Sequence, residues 1–174
     1  MATCELTGGI NAQACRDATG GIVEFYIGNF ANLSAVTETN SYVTTITLSA
    51  GTTLYQFKPN KNSSSWGQPI LGDPISGTLG YEHTANLVMS KNEAADINKI
   101  KLVARASVVI IVKERSGRYY LLGQTEGMEL AEGGFESGAA MTDANAWTLN
   151  FKGAEVNPAP EIDSAIIAAL ITNA

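Results

Sequence analysis

The stretch "VVIIVKERSGRYYLLG", residues 108–123, limits what this chain can become more than any other segment. Val108 to Val112 is an unbroken apolar, β-branched run, which favours extended backbone and shows no alternation of polar and apolar residues. Such a strand has no face to offer water and should be buried on both sides. Ser116 and Gly117 supply a turn, after which "RYYLL" forms an aromatic and aliphatic return strand. Val108, Ile110, Val112, Tyr119 and Leu121 are therefore candidates for a core hairpin, or for one that meets a neighbouring subunit.

The rest of the chain continues the β pattern. "GGIVEFYIGNF" (20–30) has a Gly-Gly entrance and strand periodicity, and "SYVTTITLSAGTTLYQFKPN" (41–60) predicts two strands around "SAGT". Those two strands are expected to form a hairpin, with Tyr42, Thr44, Ile46 and Leu48 on one face. Residues 59–78 are rich in Ser, Gly, Pro and Asn and predict a long loop, a feature usually tied to function or disorder. Trp66, Ile70, Leu71 and Ile75 favour an ordered contact loop, the alternative being that they fold back on the protein's own core. "TLGYEHTANLVMS" (78–90) is again strand-like.

The period then changes. Ser90 and Glu93 have the spacing of a capping box, and Ile97, Ile100 and Ala104 lie on one helical stripe. Residues 126–146 form a glycine-rich acidic connection. "WTLNFKG" (147–153) alternates cleanly, with Trp147, Leu149 and Phe151 on one face. Beyond Pro158 and Pro160 the tail suits a strand or a short helix. These elements predict a single mainly β domain over residues 1–174: two packed antiparallel sheets, sandwich or barrel-like, with one flanking α-helix and an N-terminal arm over residues 1–20.

Charge narrows the possible partners. The 174 residues carry 11 basic and 17 acidic side chains, a net charge of −6, whereas nucleic-acid grooves need clustered Lys and Arg. After Arg118 come Glu126, Glu129, Glu132, Glu136, Asp143, Glu155, Glu161 and Asp163, against Lys152 alone. That field should repel DNA. The N-terminus lacks the pattern of a signal peptide, and "AIIAALI" is too short to cross a bilayer, so a soluble chain without a membrane partner is expected. Cys4 and Cys15 have no nearby ligand for zinc and are either free thiols or a small-loop disulfide.

Catalytic parts are few. His83, the one histidine, sits mid-strand where a surface or interface place is expected, with no triad motif around it. "GFESG" puts Ser137 out of place for a nucleophile elbow, and the two "TGGI" segments match no phosphate loop. Glu129 with Glu132, or Glu136 with Asp143, could pair as glycosidase carboxylates, but a solvated acidic loop is the better reading. Asp73, Asp143 and Asn145 lack the spacing of an EF-hand. No enzyme activity, cofactor or metal is expected.

The order of features adds a resemblance. A hairpin region, a long loop, a strand, an amphipathic helix, then "GRYYLLG" (Gly117 to Gly123), the acidic glycine-rich connection ending near Asp143, and the strand Trp147 to Gly153 together resemble a bacteriophage tail tube protein, a major tail protein of the virion. The likeness is clearest over residues 80–157. It implies a two-sheet sandwich with a flanking helix, made in the host bacterial cytoplasm and joined in sixfold rings that stack into a tube. The partners implied are copies of itself and other tail proteins, with double-stranded DNA passing without specific binding during ejection. Glu126, Glu129, Glu132, Glu136 and Asp143 become candidates for the lumen or for ring contacts, and Trp66, Ile70, Leu71 and Ile75 for contacts between rings. The alternatives are a head decoration or tail-completion protein, or a carbohydrate-binding sandwich stacking sugars on Trp66, Trp147 and Tyr81.

Overall fold

The structure, a computed structural model, describes residues 6, 8–12, 19–90 and 93–172. Most of the expected N-terminal arm, including Cys4 and Cys15, lies outside the described residues. The chain is mainly β and builds two sheets. Sheet A contains β1 (Ile22–Asn29), β2 (Leu33–Thr39), β3 (Tyr42–Leu48), β4 (Leu54–Phe57), β8 (Val108–Glu114), β9 (Tyr119–Leu122), β12 (Glu161–Ile162) and β13 (Ile171–Thr172). Their order is β13-β4-β1-β8-β9-β12-β3-β2. Sheet B contains β5 (Ser65–Gly67), β6 (Ile70–Asp73), β7 (Thr78–Met89), β10 (Glu129–Glu136) and β11 (Ala146–Glu155). It runs β10-β11-β7-β5, with β6 also paired to β7.

The apolar run of β8 explains how the layers stack. Val108, Ile110 and Val112 point between the sheets and pack with Phe25, Leu87, Leu149 and Phe151. Val109 and Ile111 point the other way, into a second core with Val43, Leu54 and Leu121. That second core is closed by Ile167 and Leu170 of α2 (Ser164–Leu170). Asp163 caps α2 by accepting the Ala165 N–H at 3.0 Å. The expected burial of Val108–Val112 on both faces is what the chain shows, with sheet B on one side and α2 on the other. The tail thus uses both conformations its sequence allowed, strands β12 and β13 flanking a helix. Both strands also make parallel pairs, with β3 and β4, so sheet A is mixed where an antiparallel sheet was expected.

α1 (Ala94–Val103) is the expected helix, and it buries Ile100. The capping box does not form. Glu93, not Ser90, is the N-cap, and it makes no side-chain cap bond, while Ser90 is bonded to Asn60. The Asn60 amide donates to the Ser90 hydroxyl, and Asn60 Oδ1 accepts the Ser90 N–H at 3.2 Å.

Four other expectations are corrected. Residues 41–60 form two strands that do not pair with each other: β3 pairs with β2 and β12, and β4 with β1 and β13. The true hairpin is β2–β3, turned at Asn40 and Ser41, whose φ values of 53° and 61° suit a two-residue turn. The register slips beside Thr44, so Val43 and Ile46 are both buried and the even-numbered face fails. The loop at 59–78 contains β5 and β6, and the acidic connection at 126–146 contains β10.

Candidate functional site

The β8–β9 hairpin offers no free edge. β8 pairs with β1 and β9, and β9 with β8 and β12, so the main-chain groups along this ribbon find partners within the chain. Leu121 is buried in the α2-side core, while Tyr119 is half-buried with its ring 6.4 Å from that of Tyr26. This ribbon is the core of one chain, and free main-chain groups are left to strands with an open side. Among the described residues these are β2 and β13 in sheet A and β10, β5 and β6 in sheet B.

The five acidic candidates separate into three settings. Glu129, Glu132 and Glu136 stand on edge strand β10 opposite Lys152, Asn150 and Ala146 of β11. All three are exposed, whereas Leu130 and Phe135 of the same strand turn inward and are half-buried. A register shift between Leu130 and Glu132 puts both Glu129 and Glu132 on the outer face. The result is an acidic row on the outer face of sheet B, along a strand whose far edge is open. Asp143 is not in this row. It sits in the loop between β10 and β11, where it accepts the Ala139 and Ala140 N–H groups at 2.8 and 2.7 Å. Those bonds, from Ala140 first and then Ala139, hold its carboxyl below the usual range.

Glu126 belongs to the loop between β9 and β10, which is clamped from below. The buried Glu155 carboxylate accepts the Thr125 N–H at 2.9 Å and the Glu126 N–H at 3.1 Å. His83 is also buried, not at a surface, and its Nδ1 accepts the Gly123 N–H at 3.3 Å. An accepting Nδ1 fixes the neutral tautomer protonated at Nε2. Burial pushes the imidazole below its ordinary range, against the pull of the Glu155 carboxylate and the Asn157 backbone. Sequence reasoning missed this pair. The only signal was a histidine and a glutamate, each on the inward parity of its strand.

The contact-loop candidates divide as well. Trp66 is half-buried, stacked at 4.8 Å on Tyr120, and its Nε1–H donates to Glu114 Oε1 at 2.8 Å. Trp147 packs at 5.3 Å against Phe135 on the inner face of sheet B. Both indoles are half-buried and covered on one side by another ring. Ile70, Leu71 and Ile75 are exposed, joined by Leu79. They lie on an arm made by β6 and the start of β7, paired from Ile70↔Tyr81 to Asp73↔Thr78. The tip is well built: Asp73 Oδ1 accepts the Ile75 N–H at 2.9 Å, and Gly77 takes the left-handed turn position at φ 67°.

A second apolar surface lies between α1 and sheet B. Ile97, Ile100 and Ala104 of the helix segment face Leu130, Trp147 and Leu149 across a cleft of about 360 Å³, with Lys101 at its rim. Among the described residues no group of three or more His, Cys, Asp or Glu is placed to hold a metal ion, and no helix is long and apolar enough to cross a membrane. Comparison of the chain with protein-family models, with curated proteins and with solved structures gave no match.

Proposed function

We propose that this protein is a structural component of a virion, the subunit of a bacteriophage tail tube, which assembles as stacked sixfold rings around a channel for DNA ejection. The observation that carries the reading is the acidic row Glu129, Glu132 and Glu136 on the outer face of the open strand β10. Sheet B has open strands at both ends, and pairing β10 of one copy with the β5 or β6 side of the next would close a barrel of sheets. Carboxylates on the channel face of that barrel repel phosphates all round, so DNA slides past without being held. The apolar arm at Ile70–Leu79 then serves contacts between rings.

Negative-stain electron microscopy of the concentrated protein tests this. Sixfold rings or hollow tubes are the expected particles. Dispersed monomers at every concentration and salt level would count against the tube and return the chain to other virion roles, such as head decoration or tail completion.

A further inference from the structure

We infer that the β6–β7 arm of one copy seats in the cleft between α1 and sheet B of a second copy, a head-to-tail contact that repeats along β7. The inference rests on the self-assembly reading above and deepens it by naming both surfaces that meet.

The arm is apolar and its own chain does not cover it. Ile75 at the tip is 98% exposed and Ile70 is 67% exposed, although the turn is fixed by the Asp73 bond to the Ile75 N–H. A preformed tip loses little freedom on docking. The cleft is the matching concavity: its walls are Ile97, Ile100 and Ala104 on one side and Leu130 and Trp147 on the other.

Position makes the contact intermolecular. The arm leaves sheet B at the Thr78–Tyr81 end of β7, whereas the cleft lies at the other end, where Leu149 and Trp147 pair with Leu87 and Met89. The ten steps from Leu79 to Met89 span about 33 Å of strand, beyond the reach of the arm to its own cleft. Two copies displaced along the strand by about 40 Å bring one arm to the next cleft. Each copy then uses two different surfaces, so the contact does not close on itself and can propagate. Charge agrees with this pairing. Asp73 stands beside the tip and Lys101 at the cleft rim, and Lys101 has no ion-pair partner among the described residues.

Disulfide trapping tests the contact. In a full-length chain with Cys4→Ser and Cys15→Ser, thiols are introduced by Ile75→Cys and Ile97→Cys, both at exposed positions, and diamide accepts the two electrons and two protons of each bond formed. The double variant should give a covalent ladder extending past the dimer. Either single variant should stay monomeric on a non-reducing gel, because its one introduced thiol faces an isoleucine of the neighbouring chain. Assemblies visible by microscopy without a ladder would overturn the inference and leave the assembly reading intact. Dispersed chains without a ladder would overturn both. Complementation gives a second readout. Ile75→Asp and Ile97→Asp should each stop at single rings, while mixing the two variants as preassembled rings should join one ring to one other and stop there, using the intact arms of one and the intact clefts of the other. Unchanged assembly of either variant, as expected if another segment or a small ligand filled the cleft, would also overturn it.

Discussion

Two hairpins in this molecule are built alike and placed differently. β8–β9 and the β6–β7 arm are both antiparallel ribbons of aliphatic residues joined by a short turn. In the first, Val108 to Val112 are all at most 1% exposed, because the ribbon lies mid-sheet with a layer against each face. In the second, Ile70, Leu71, Ile75 and Leu79 are exposed, because the ribbon runs past the end of its sheet. The aliphatic residues of the first hairpin hold the chain together. Those of the second contribute little to its own fold, and in the assembly proposed above they form the contact with a second copy.

The sharpest way to break this contrast is proline. Ile110→Pro removes a ladder donor from a central strand paired on both sides, and a folded baseline should be absent from circular dichroism and denaturant titration. The milder Ile110→Ala should fold but lose about 2–5 kcal/mol in urea unfolding, the usual cost of emptying a tight aliphatic site. Next is the clamp beneath the β9–β10 loop. Glu155→Ala orphans the N–H groups of Thr125 and Glu126 and should cost about 2–4 kcal/mol, with faster amide exchange confined to residues 123–127.

His83 predicts a smaller, pH-dependent term. Its folded pKa lies below the unfolded value of 6.5, so between those two values the unfolded chain binds the proton and the folded chain does not. The stability it contributes is whole above pH 6.5 and declines as pH falls through that window. Tm measured from pH 8 to pH 5 should drop below about 6.5, and His83→Asn should flatten that slope while keeping an acceptor for the Gly123 N–H. The smallest effect on folding belongs to the arm: Ile75→Asp should change stability by less than about 0.5 kcal/mol, as expected of an exposed position.

Legibility in the sequence followed how completely one physical signal governed each segment. Val108–Val112 could be assigned because no polar residue interrupts it, and β11 because Trp147, Leu149 and Phe151 alternate without a break. β10 was hidden. Its register shift and the Gly133-Gly134 pair break the alternation of Leu130 and Phe135, leaving a composition that resembles a loop. β2 has only Leu33 and Val36 half-buried, and its one clear cue was Asn40 in a two-residue turn. The acids were identified by type, but nothing local separates Glu132 on a strand face from Asp143 in a loop turn. The joining of His83 and Glu155 to one loop depends on the β7–β11 register, which only the folded sheet supplies.

The most direct measurement is sedimentation velocity of the unmodified chain and of Ile75→Asp over the same concentration series, with Tm recorded on the same samples. The account predicts that the unmodified chain grows into large particles with concentration, while Ile75→Asp stops at single rings at an unchanged Tm. Equal growth of both chains, or a loss of assembly accompanied by an equal loss of Tm, would contradict the division between a hairpin that folds the chain and one that joins it to another.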